Sequence, residues 1–280
     1  MTHDFRDMSR RRRAYTLIEI LVVIAIIAIL AGMVMASVMA VRAHVPETTT
    51  RADILQISGA LVKFKADYGV YPPDQLKLCM NRTDYGTTGL DKQSLLFLDT
   101  MFPGIDFVNV HWAGPGVTLP PGGVILEGDQ VLVFCLGGPP TGASPPTLMG
   151  GFSKIPTDPI DVNNSSASRT SLYSFNIAGR LKLVPRAGNT AAAYFPSFID
   201  GYNEMPYVYF SSDAGGRYSG AANTLGVSAY LQQNATTFQI ISAGLDGQFG
   251  LGGVAWPPAQ IGPGADDMTN FTDVKLGNAP

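Results

Sequence analysis

Glu19 is the one charged residue in an apolar run from Tyr15 to Val41. A carboxylate on a lipid-facing helix costs roughly 2.5–3.5 kcal/mol at the bilayer centre and less near an end, so it calls for a partner or a task. Snorkelling to the interface would be the simplest way out. Near the other end of the chain, Asp246 lies in Ala243-Gly244-Leu245-Asp246-Gly247-Gln248-Phe249-Gly250, and Asp266 and Asp267 open Asp266-Asp267-Met268-Thr269-Asn270-Phe271. Carboxylates at two loop positions, with glycines that expose backbone carbonyls, can supply the roughly six to eight oxygens that calcium takes. The same residues also suit an ordinary Asp-Gly turn and a solvated acidic pair, and the spacing leaves both readings open.

Other chemistry finds little to work with. There is no GxSxG elbow, no HExxH and no P-loop, and His3, His44 and His111 are scattered, so the chain is expected not to be an enzyme. Cys79 and Cys135 lack CxxC spacing, which excludes a zinc ribbon or a dithiol redox motif. They are either two separate buried thiols or, in an exported domain, a disulfide. A formal net charge of -3, with Lys and Arg sparse beyond the N-terminus, gives no field for nucleic acid.

The elements that must carry these residues begin with the apolar run, which exceeds the ~20 residues a helix needs to cross a bilayer. Arg10, Arg11, Arg12 and Arg13 precede it and should stay on the cytoplasmic side, placing the remainder outside. A secretory signal cleaved after Ala40 and a twin-arginine signal at Ser9-Arg10-Arg11 are disfavoured by the length of the run and by Glu19. Pro46 is expected to kink or break the helix, with Thr48 or Thr49 capping a restart. Ile54, Ile57, Leu61, Phe64 and Tyr68 then recur at spacings of three and four, with Arg51, Asp53, Lys63, Lys65 and Asp67 on other faces. Gly69 and Tyr71-Pro72-Pro73 end that amphipathic helix.

Residues 75–205 are rich in turn formers and read as a long loop-rich insertion. Short strand candidates are Val131–Leu136, and Leu172–Ile177 with Leu181–Val184 as a hairpin over Ala178-Gly179-Arg180. The insertion is either a lobe that touches partner subunits or cargo, or an elaborated loop layer. Two stronger strands, Tyr207–Ser211 and Thr237–Ser242, point to an antiparallel sheet.

The stretch Arg13-Ala14-Tyr15-Thr16-Leu17-Ile18-Glu19 and the apolar residues after it resemble the N-terminal signature of type IV pilins and type II secretion pseudopilins. The resemblance implies cleavage by prepilin peptidase between Ala14 and Tyr15 and N-methylation of Tyr15. Ala14 replaces the family's usual Gly, and Tyr15 its usual Phe or Met. The freed amine of one subunit could then pair with Glu19 of its neighbour and set axial register. Asp53 to Pro72, ending in Gly69-Val70-Tyr71-Pro72, resembles the second half of the helix in major pseudopilins. Ser242 to Gly247 and Asp267 to Phe271 look like their C-terminal calcium loop. That match makes Asp246 and Asp267 acidic ligands and adds the Leu245 and Gln248 carbonyls and Asp266, while Leu251–Pro263, with Trp256-Pro257-Pro258, lengthens the loop.

The expected fold is α+β, with a long N-terminal transmembrane and amphipathic helix packed on a small antiparallel sheet. Its parts are a cleaved leader (1–14), an assembly helix (15–45), an amphipathic helix and turn (46–73), and a pilin-like globular region (74–280) whose calcium-loop-like segment is 242–271. The expected function is a pseudopilin of a type II secretion-like filament, with structural calcium, anchored in the bacterial inner membrane with its globular part periplasmic. Its implied partners are copies of itself, prepilin peptidase, minor pseudopilins, and an assembly ATPase with its membrane platform. The alternatives are a subunit of an extracellular type IV pilus and a membrane-anchored binding module that never polymerises.

Overall fold

Helix α1 runs from Leu17 to Tyr68 in the computed structural model, which describes residues 16–161, 169–175, 177–202, 205–213, 216–218, 221–250, 252–253 and 262–278. The chain forms two units, Met1–Pro46 and Glu47–Pro280. In the first, Leu17–Met35 is long and apolar enough to cross a membrane, and its side chains are exposed. The expected restart after Pro46 does not occur, and Thr48 and Thr49 are helical rather than capping. A proline forfeits one donor and crowds one carbonyl.

In the second unit the stripe behaves as its spacing predicts. Ile54, Ile57, Leu61 and Phe64 are buried, and Gly69 leaves the helix at φ 80°, a left-handed value that favours glycine. The Tyr209 hydroxyl donates to the Pro72 carbonyl at 2.7 Å and fixes the turn that follows.

The sheet that receives this stripe is β5 (Val208–Ser211), β6 (Phe238–Ser242) and β7 (Met268–Thr269), in that order and antiparallel. Its alternation sorts the side chains. Tyr209, Phe238, Ile240 and Met268 share one apolar cluster with the α1 stripe, while Val208, Phe210 and Ile241 join Val227, Tyr230 and Leu276 in a second. The sheet is therefore covered on both faces.

The insertion holds more regular structure than its turn formers suggest. It contains β1 (Gln75–Leu78) paired with β2 (Val124–Glu127), α2 (Gly89–Met101), α3 (Gly128–Gly137), and β3 (Leu181–Lys182) paired with β4 (Ser197–Phe198). Val131–Leu136 is thus helical, not a strand. An apolar run of that length suits a buried helix as well as a strand. What decides is the capping box in which Glu127 and Gln130 satisfy each other's backbone, with Gly138 at φ 90° closing the far end. Among the described residues the expected hairpin is not formed either: Leu181 pairs with Phe198, and Leu172 and Tyr173 donate their N–H groups to the Leu136 carbonyl.

Buried charges tie these pieces together. Asp53, expected on a polar face of α1, is buried and ion-paired with Arg180 at 2.6 Å, while the Tyr207 hydroxyl donates to the same oxygen at 2.8 Å. Arg186 donates to Asp129 at 2.7 Å and to Glu127 at 3.0 Å, and Asp129 also accepts from the Ser197 hydroxyl at 2.5 Å. Cys79 and Cys135 are free and buried.

Candidate functional site

Two places gather the residues with chemistry. At the start of α1, the Thr16 amide and hydroxyl donate to Glu19 Oε2 at 2.8 and 2.9 Å, and the Glu19 amide donates back to Thr16 Oγ1 at 3.3 Å. Thr-x-x-Glu is a capping box: it satisfies helix-end donors that lipid cannot, and gives the lone carboxylate a partner within its own chain. The pattern is visible in the sequence and adds a role for Thr16. Ala14 and Tyr15 lie outside the described residues.

The second place is the acidic loop. β6 delivers the chain into Ala243–Gly250, and the pairing of Ser242 with Met268 in β7 brings Asp266 and Asp267 alongside. Asp266 Oδ2 accepts from the Leu245 and Asp246 amides at 2.5 and 3.1 Å. Asp246 Oδ1 accepts from the Gln248 amide at 2.8 Å, and the Leu245, Asp246 and Gln248 side chains are exposed. Asp267 differs: it is fully buried, its Oδ2 accepts from the Gly250 amide at 2.9 Å, and its Oδ1 has no hydrogen-bond partner among the described residues. Its carboxyl is pushed up to about 8, first by burial and then by the charges of Asp266 and Asp246, against the lowering effect of the Gly250 amide.

The walls around Asp267 are close. A Cβ at Gly250 would lie 2.5 Å from the Tyr230 hydroxyl and 3.1 Å from Gly264 Cα, so a side chain there would fill the space. The Tyr230 hydroxyl is itself buried without a hydrogen-bond partner among the described residues. Two orphaned buried oxygens beside two further carboxylates suit a cation that takes oxygen ligands, and that chemistry matches calcium rather than zinc. No group of three His, Cys, Asp or Glu side chains among the described residues is arranged to hold a metal ion. A cation here would therefore draw on backbone and hydroxyl oxygens as well as carboxylates. Most of Leu251–Pro263, including Trp256-Pro257-Pro258, lies outside the described residues. Tyr230 has no local sequence signal, since only the tertiary fold brings it to Asp267.

His44 is exposed, and His111 is half-buried next to Trp112, whose Nε1 donates to the Cys79 carbonyl at 2.9 Å.

Comparison with known proteins bears on the first place more than the second. Residues 9–35 match the model of the prokaryotic N-terminal methylation motif. The chain is 41% identical over 69 residues to the type II secretion system core protein G of Pseudomonas aeruginosa, a match that covers 24% of this chain and 49% of that protein. The matched part thus spans about half the length of that relative. No solved structure matches the chain.

Proposed function

We propose that this chain, a pilin-like protein with a prepilin-type methylation motif and a partial likeness to a type II secretion pseudopilin, is a structural subunit of a type II secretion-like filament. It waits in the inner membrane on Leu17–Met35 with its globular unit in the periplasm, is cut between Ala14 and Tyr15 and methylated at Tyr15, and joins identical copies head to tail. Head-to-tail contacts generate an open helical assembly. Its role is mechanical, with no bond made or broken by the subunit itself. Its partners in this reading are prepilin peptidase, minor pseudopilins, and an assembly ATPase with its membrane platform.

One observation carries the proposal: an exposed apolar helix whose single carboxylate, Glu19, sits four residues after Tyr15, the expected mature N-terminus. In the isolated subunit Thr16 supports Glu19. In the filament the Tyr15 amine of a neighbouring copy takes that place, in a low-dielectric helical core where the attraction is stronger than in water. Mass spectrometry of the mature N-terminus tests the processing: methylated Tyr15 is the expected result, and an intact leader defeats the reading.

The same proposal places structural calcium in the acidic loop, held by Asp246 and Asp267 with the Leu245 and Gln248 carbonyls and Asp266. Bound there, calcium supplies charge that lets Asp267 ionise while buried. Without metal, the folded chain keeps a proton on Asp267 that the unfolded chain releases near pH 4, so stability falls as pH rises from about 4 to about 8. Calcium binding requires loss of that proton and should tighten over the same interval. Melting curves at pH 5 and pH 8, with calcium chloride and with chelator, check this. Asp267→Asn should flatten the metal-free pH dependence and abolish the calcium shift, and a calcium shift that survives the substitution removes Asp267 from the ligand set.

A further inference from the structure

The turn Asp200-Gly201-Tyr202 belongs to the insertion, yet it makes bonds to two distant elements. Asp200 is fully buried and its Oδ2 accepts from the Ser242 hydroxyl at 2.9 Å, at the end of β6. Ser242 Oγ, also fully buried, accepts in turn from the Gly244 amide at 3.3 Å. Gly244 holds φ 68° with its backbone pressed against Asp266, leaving no room for a Cβ. On the turn's other side the Gly201 amide donates to Thr50 Oγ1 on α1 at 3.0 Å, and the Tyr202 amide donates to Asp200 Oδ1 at 3.1 Å.

The direction of these bonds matters. A serine hydroxyl has one proton, and giving it to Asp200 turns the oxygen's lone pairs toward the Gly244 amide. The bond to the buried Asp200 carboxyl therefore fixes which way Ser242 faces, and Ser242 fixes where the acidic loop begins.

We propose that Asp200 is a positioning residue for the cation site: acting through Ser242 and Gly244, it holds the loop in the shape that presents Asp246, Asp266 and Asp267. The inference rests on the calcium reading above. It gives the insertion a specific task, since its carboxylate lies 42 residues before the serine it orients, and it links the cation loop to α1 through Thr50.

The test titrates the full chain in detergent micelles with calcium chloride, following binding by calorimetry and stability by thermal melting. Groups that orient metal ligands from behind typically contribute 10- to 100-fold in affinity, so Asp200→Ala and Ser242→Ala should each weaken calcium binding by roughly tenfold or more. The double variant should bind no more weakly than the weaker single one, because the two act in series. Ser197→Ala, which removes a buried hydroxyl from the Asp129 network, should lower the melting temperature in chelator without changing calcium affinity. Wild-type affinity in both Asp200→Ala and Ser242→Ala overturns the positioning role and leaves the metal site standing. Absence of calcium binding in the unsubstituted chain overturns both. Should Asp200→Ala fail to fold, Ser242→Ala decides alone.

Discussion

Two strongly apolar helical stretches in this chain live in opposite surroundings. In α3 every residue from Gly128 to Gly137 is buried, and the helix is closed by a capping box at one end and Gly138 at the other. In Leu17–Met35 every side chain is exposed, and the box of Thr16 and Glu19 closes its start. Hydrophobicity is the same kind of property in both, but only α3 finds its dry surroundings inside the chain. The N-terminal stretch finds none among the described residues, and by length and composition it suits a bilayer. At about 1.5 Å per residue its 19 residues extend about 28 Å, close to the roughly 30 Å hydrocarbon thickness of a bilayer.

The sharpest way to break that comparison is to put one carboxylate into each helix. Leu132→Asp strands an unpaired charge in a filled core and should cost more than about 4 kcal/mol, read as a large fall in the melting temperature of the second unit. Ile24→Asp should leave the melting of that unit unchanged and reduce membrane partitioning, with a cost of about 2.5–3.5 kcal/mol if it sits mid-bilayer. Comparable melting losses for the two variants would abolish the distinction.

A somewhat smaller effect sharpens it within α1 itself. Asp53→Ala leaves the Arg180 guanidinium buried without its carboxylate and should destabilise by about 3–5 kcal/mol in urea unfolding, as if this part of α1 were a core helix. A loss below about 1 kcal/mol would mean that the pair is not buried in solution. The smallest effect concerns the start of the membrane stretch. Thr16→Ala removes the cap and should cost about 1 kcal/mol, seen as faster amide exchange in the first turn only, with no change in the second unit's melting.

What could be read from the residues alone follows a physical division. The stripe from Ile54 to Phe64 and the strands β5 and β6 were legible because each is a short-range pattern, a period of three to four or a β-branched and aromatic run between turns. The α3 segment was misread because a run of Val, Leu and Phe has no period when all sides are buried, and the Glu127-to-Gln130 box was the signal that separates the two readings. Asp53 was misplaced for a different reason. Its partner Arg180 lies 127 residues away, and no local rule reports a buried ion pair at that distance. The acidic loop divides the same way: Asp246, Asp266 and Asp267 stand out beside their glycines, whereas Tyr230 and Asp200 reach it only through the fold.

The two cysteines set how the chain meets an oxidant. Burial holds both thiols in the protonated form, pushing Cys79 up to about 11 and Cys135 higher still. Oxidation and disulfide exchange proceed through the thiolate, so the folded chain is chemically quiet even where oxidants are plentiful. Unfolding removes that shelter from both sulfurs at once. In an oxidising medium a single opening event can be captured covalently before the chain closes again, so survival would be set by how rarely the fold opens rather than by how strongly it is favoured at equilibrium.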